Sequence, residues 1–148
     1  MAVTPRNENY ESVIREIFSR AQFIEELGIK LVRVAPGEAE TSLEIRDAHR
    51  QQDGFVHAGV QATIADHTGG AAAATLFAVG QYPLSAEFKI NFLRVADGTS
   101  LICRSKVLKP GKTLSVVESE VYSVVGSEEK LVSKATLTIA IVEAGTGA

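Results

Sequence analysis

One stretch constrains this chain more than any other, the run from Gly54 to Leu76, which holds no lysine, arginine, glutamate or proline, is dominated by alanine and glycine, and carries a single carboxylate, Asp66. A helix of that composition has no polar face to offer water, so it must be enclosed. At about 1.5 Å per residue such a helix reaches about 30 Å, enough to cross a sheet. Small side chains let a curved sheet close around it. An ionised carboxylate away from water is costly unless it is paired, hydrogen-bonded or used, so Asp66 is the first candidate for chemistry.

The segments on either side read as its wrapping. From Tyr10 to Glu26, apolar residues recur at Tyr10, Val13, Ile14, Ile17, Phe18, Ala21 and Ile24, the spacing of an amphipathic helix that lies on a surface. Leu27, Ile29 and Leu31 then alternate, Pro36-Gly37 turns the chain, and Ala39, Thr41, Leu43 and Ile45 alternate with polar residues, which predicts a hairpin. Residues Asp47 to Gly54 connect. After the buried helix come four predicted strands. Leu84, Ala86, Phe88, Ile90 and Phe92 form one inward face; Leu101 to Leu108 and Leu114 to Val125 follow; and Leu131, Ala135, Leu137, Ile139 and Ile141 form the last. The tail from Ala144 is expected to be disordered. The whole is an α+β domain over residues 1–148, with an N-terminal helix at about 10–26 and a six-stranded antiparallel sheet around a long central helix in a core of about 27–143. The face of that helix turned from the sheet is apolar too, so a second copy is expected to cover it, giving a homodimer at least.

Composition excludes some functions. A formal charge of −3 gives no basic field for nucleic acid or anionic membrane, and no apolar run approaches the roughly 18 residues of a membrane span. The polar start, Met1 to Asn9, does not read as a signal peptide, and a lone cysteine, Cys103, in an alternating strand reads as a buried thiol in a cytoplasmic protein. His49, His57 and His67 lack a ligand spacing with convergent carboxylates, so no metal site is predicted.

On a helical wheel, Gly59, Ala62, Thr63, Gly69, Gly70 and Ala73 fall near Asp66, and the two adjacent glycines suggest that a substrate or another backbone comes close. His67 points about 100° away, which argues against an Asp-His dyad. Ahead of Asp66, in Phe55-Val56-His57-Ala58-Gly59, the free N–H groups of the first turn suit a developing negative charge such as an acyl-transfer oxyanion. His57 either caps that turn or touches a substrate carbonyl. A triad of Ser85, His57 and Asp66 has no nucleophile-elbow pattern behind it.

These residues reach a known family. His57-Ala58-Gly59 followed by Asp66, with Gln51 ahead of the histidine, Ser85 opening the strand after the helix, Asn91-Phe92-Leu93-Arg94, and Lys109-Pro110-Gly111-Lys112-Thr113-Leu114, resembles the hotdog-fold acyl-CoA thioesterases of the phenylacetate-pathway, PaaI-like group. The likeness runs from about Leu27 to Val142. It implies hydrolysis of an aryl- or medium-chain acyl-CoA, CoA being part of the substrate and no cofactor being needed, in dimers joined sheet edge to sheet edge, commonly as dimers of dimers, with the active site between subunits. Asp66 then resembles the catalytic carboxylate, as general base or nucleophile, and the Ala58 N–H the oxyanion donor. Gln51 and His57 resemble groups that orient the thioester carbonyl, and Ser85, from the facing subunit, one that positions water. Gly59, Thr63 and Gly70 would line the substrate site, and Lys109 and Lys112 would meet the CoA phosphates. The family pattern is His-Gly-Gly where this chain has His-Ala-Gly, and some relatives carry Ser or Thr where it has Gly70. The alternative reading is a non-catalytic acyl-CoA-binding or regulatory hotdog domain; a hotdog dehydratase fits less well, since no helix pairs a histidine with a carboxylate.

Overall fold

The structure is a computed structural model that describes residues 2–145. Its N-terminal segment holds two helices, α1 (Tyr10–Arg20) and α2 (Gln22–Leu27), where the periodicity predicts one. The break falls at Ala21, which leaves helical geometry at φ −84°, ψ 84°. A continuous helix would set Ile24 about 80° around the axis from Ile14; the break lets both bury, at 1% and 5% exposure. Gly28 then stops α2 in the left-handed conformation, its N–H bonding back to Ile24 and Glu25.

The hairpin β1 (Ile29–Ala35) and β2 (Glu38–Glu44) leads through one 3-10 turn (Asp47–His49) to α3 (Ala58–Ala74), after which β3 (Gln81–Phe92), β4 (Ser100–Lys109), β5 (Leu114–Val125) and β6 (Glu128–Glu143) follow. All six strands form one antiparallel sheet in the order β1-β2-β4-β5-β6-β3, wrapped around α3. This is the hotdog architecture. The central helix is shorter than the Gly54–Leu76 run, because residues 51–56 form a turn in which Gly54 takes φ +89° and the Gln51 N–H bonds the Phe55 carbonyl at 2.8 Å.

The inner face of the sheet is built from small and hydroxyl-bearing residues as much as from large apolar ones. Ser119 Oγ on β5 donates to the Ala65 carbonyl of α3 at 2.8 Å, Ser105 and Ser119 hydroxyls meet at 2.6 Å, and those of Thr41 and Thr68 meet at 2.6 Å. These bonds satisfy polar groups that are fully enclosed, and short side chains bring sheet and helix together. Cys103 lies among them, buried as expected, and burial pushes its thiol up to about 11.

Two strand expectations change. Opposite Val121 and Tyr122, a bulge in β6 takes up Val132 as an extra residue, so Val132 turns inward, fully buried, in place of Leu131. On β3 the bulge between Ser85 and Glu87 reverses parity, so Leu84, opposite Ala140, leaves the face that Phe88, Ile90 and Phe92 share with buried Leu137, Ala135 and Ser133; Leu84, Phe88 and Phe92 are 53%, 40% and 48% exposed. No described helix is long and apolar enough to cross a membrane. Of the expected loose tail, Ala144 and Gly145 form a turn, and residues 146–148 lie outside the described residues.

Candidate active site

Asp66 sits midway along α3, half-buried, on the side that meets the edge strand β3. Ser85 Oγ donates to its Oδ1 at 2.5 Å, and among the described residues no donor reaches Oδ2. The serine is brought there by a bulge in β3 between Ser85 and Glu87. Both residues belong to the same chain, so the expectation that Ser85 arrives from a facing subunit is corrected. Nor is a Ser-His-Asp triad formed: the serine proton goes directly to the carboxylate, and His57 lies nine residues away along the helix, about 13 Å at helical rise.

The carboxylate opens onto a cavity of about 520 Å³ between α1, α3 and the start of β3, walled by Ile14, Ile17, Phe18, Gly70, Pro83 and Leu84 among others. A smaller cavity of about 450 Å³ on its other side includes Thr63 and Phe88. Thr63 Oγ1 donates to the Gly59 carbonyl at 2.8 Å. His67 lines both cavities, but its ring packs edge-on against Phe18, with centroids 4.6 Å apart and planes at 71°. Burial lowers its pKa below the ordinary imidazole value, the Asp66 charge opposing in part, which favours a neutral ring.

The helix entrance forms a second centre. His57 is the N-cap of α3, its Nδ1 accepting from the Gly59 N–H at 2.8 Å, so the ring proton of a neutral imidazole sits on Nε2. Ala58 is the first helical residue; its N–H has no partner among the described residues, and no described residue other than glycine has a positive φ. Alanine therefore supplies the same free donor that glycine would. Gln51 is held by accepting the Asp53 N–H at Oε1, which leaves its Nε2 free. Gln51, His57 and Ala58 all line one cavity of about 600 Å³, with Phe92, Leu93 and Arg94.

Other expected substrate contacts are redistributed. Gly59 lines no cavity described; a Cβ there would come within 3.1 Å of His57 Nδ1, so the glycine makes room for the cap. Gly69 and Ala73 are buried on the sheet side, and Gly69 packs on Leu137 and Ser119 rather than beside Asp66. Gly70 does line the carboxylate cavity. Lys109 and Lys112 lie at the β4–β5 turn and line none of the three cavities; Pro110 and Gly111 of that turn adjoin Leu76, just past the C-terminal end of α3.

Sequence reasoning missed Gln61. It is only 4% exposed, lines the entrance cavity and leaves Oε1 unpartnered. The signal was there, since it is the one amide in the alanine-rich run. It also missed that α1 walls the carboxylate cavity, which no local pattern announces.

Residues 53–130 match the thioesterase superfamily. The chain belongs to that superfamily. A crystal structure of a thioesterase family protein from Silicibacter pomeroyi is 34% identical, covers 90% of this chain and 98% of its own, and superposes with a TM-score of 0.89. The 1,4-dihydroxy-2-naphthoyl-CoA hydrolase of Listeria monocytogenes is 26% identical over 79% of this chain and 93% of its own length. The E. coli PaaI protein from the phenylacetic acid degradation operon shares the fold at a TM-score of 0.83, covering 94% of this chain and 97% of its own at 16% identity. This thioesterase is thus a hotdog thioester hydrolase, and the PaaI-like resemblance extends to the whole fold.

Proposed function

We propose that this thioesterase hydrolyses acyl-CoA esters of an aryl or medium-chain acid to the free acid and CoA, in the cytoplasm and without a cofactor. The observation that carries the reading is the Asp66 carboxylate, oriented by Ser85 at one oxygen, free at the other, and facing an apolar cavity. The free oxygen activates water or attacks the thioester carbonyl itself. As that carbonyl gains charge, the Ala58 N–H receives it, supported by the positive end of α3 and by donors from Gln51 and His57. The relative that hydrolyses a naphthoyl-CoA supports an aryl-CoA substrate. Lys109 and Lys112 are assigned the CoA phosphates on charge alone.

Within one chain these parts do not meet. Ala58 and Asp66 are eight residues apart on one helix, about 12 Å, and they open onto different cavities. Both cavities, however, adjoin the unpaired strand β3, the carboxylate cavity at its start (Tyr82 to Ser85) and the entrance cavity at its end (Phe92). If β3 pairs antiparallel with β3 of a second copy, the start of one strand lies beside the end of the other. Each Asp66 then faces the other copy's helix entrance. A second copy seated there would also cover Phe88 and Phe92, which share the helix side of β3. The active unit in this reading is a homodimer with two composite sites, open to assembly as a dimer of dimers.

The alternative, a non-catalytic acyl-CoA-binding domain, drew its support from alanine in the His-Ala-Gly motif, and Ala58 needs no positive φ to present its N–H. The test is thiol release from aryl, short, medium and long acyl-CoA esters by wild type and Asp66→Asn. The variant should lose at least about 100-fold in kcat. Turnover of the best substrate at the parent's rate would refute the mechanism.

A further inference from the structure

The two adjacent glycines of α3 do different work. A Cβ at Gly69 would come within 3.0 Å of Leu137 Cδ2 and 3.1 Å of Ser119 Oγ, so that glycine is needed for the sheet to approach. At Gly70 a Cβ would meet only Pro83 Cγ, at 4.0 Å, an ordinary contact. Glycine in a helix interior costs stability relative to alanine, so at position 70 the chain bears that cost with no packing reason for it. What lies beyond the missing side chain is the cavity of about 520 Å³ that holds Asp66, one helical turn back along the same face.

The opposite wall of this cavity is α1. Ile14 is anchored in the core at 1% exposure, and Phe18 is locked by its edge-on contact with His67 beside Asp66, so the helix is fixed in place. Between these anchors Ile17 faces the cavity. The remaining sides are Ala71 and Ala74 from α3 and Tyr82, Pro83 and Leu84 from β3, mostly hydrocarbon, with Arg20 of α1 also on the lining.

We propose that this cavity seats the acyl group, and that Gly70 and Ile17, on facing walls, are the specificity-determining residues that set its permitted bulk. The proposal rests on the thioesterase reading and adds to it where the acid lies and what limits it.

Gly70→Ala and Ile17→Trp each narrow the seat from one side. Compared by the ratio of kcat/KM for octanoyl-CoA to that for butyryl-CoA, each should lower the ratio about 10-fold or more, mainly through KM, since one methylene's worth of fit in an apolar pocket carries that discrimination. Gly70→Ala should at the same time raise the melting temperature by roughly 3 °C through helix propensity, which separates a lost seat from a damaged fold. An unchanged ratio in Gly70→Ala overturns the proposal, and an unchanged ratio in Ile17→Trp alone overturns the part assigned to α1. If Asp66→Asn abolishes turnover while neither ratio moves, the acyl seat is wrong and the hydrolytic reading stands. If Asp66→Asn retains full turnover, the hydrolytic reading fails independently.

Discussion

Ser85 Oγ and Asp66 Oδ1 are hydrogen-bonded at 2.5 Å between β3 and α3 of a single chain. The bond fixes which carboxylate oxygen is left for chemistry, and it exists because a bulge in β3 turns the serine toward the helix. Removing it should leave the carboxylate present but free to rotate. A neutral donor to a charged acceptor contributes about 1.5–3 kcal/mol at most, so Ser85→Ala should lower kcat roughly 10-fold with KM little changed, and Ser85→Thr should recover part of the loss. Steady-state kinetics on all three proteins checks this. A kcat equal to wild type in Ser85→Ala would remove the serine from the site.

Gly69→Ala should behave in the opposite way to its neighbour. The added methyl meets Leu137 and Ser119 within 3.1 Å, and Ser119 holds the hydrogen bond that ties β5 to the Ala65 carbonyl. Overpacking of this kind costs about 1–3 kcal/mol, more than the ~1 kcal/mol gained from helix propensity. Urea unfolding should give a lower midpoint with an unchanged m-value.

His67 makes stability depend on pH. Its folded pKa is lowered by burial from the ordinary 6.5, so the unfolded chain takes up the proton first. The contribution is fully present above about pH 6.5 and is lost as pH falls below it. Asp66, next to His67, opposes the shift, and His49, also lowered by burial, adds to the slope. His67→Phe, which keeps an aromatic ring against Phe18, should therefore lose less stability than wild type between pH 7.5 and 5.5. Urea midpoints at the two pH values measure the difference, and parallel losses in both proteins would count against it.

The architecture was legible because its signals are periodic or compositional. Alternation marked the strands, three-four spacing marked the first helix, and the uncharged run marked the central one. The errors fall where one residue alters the geometry. The bulge at Val132 reverses parity, so Leu131 and Val132 exchange faces, and Gly54 at φ +89° delays the helix to Ala58. At the site, Asp66 was legible as a charge without a local reason. That α1 would wall its cavity, or that Ser85 would bond it within the chain, depends on tertiary placement of segments distant in sequence. The wheel also treated Gly69 and Gly70 alike, since it records angle and not what stands opposite.

The two-copy site can be tested by complementation, using a substitution that removes one hydrogen. Ala58 is the first residue of α3 and its N–H has no partner among the described residues, while His57 before it is extended, at φ −60°, ψ 140°. Proline is accepted at such a position and favours extended backbone in the residue before it. Ala58→Pro should thus keep the helix and delete the oxyanion donor, lowering kcat about 10²–10³-fold with the circular dichroism spectrum unchanged. Asp66→Asn disables the other half. Co-refolding the two inactive proteins forms mixed dimers in which one site joins the intact entrance of one copy to the intact Asp66 of the other. With random pairing, half the dimers are mixed and each has one working site of two, so activity should return to about a quarter of the parent's. If each chain carried a complete site, no mixture would recover anything, and the reading built on β3 pairing would fall with it.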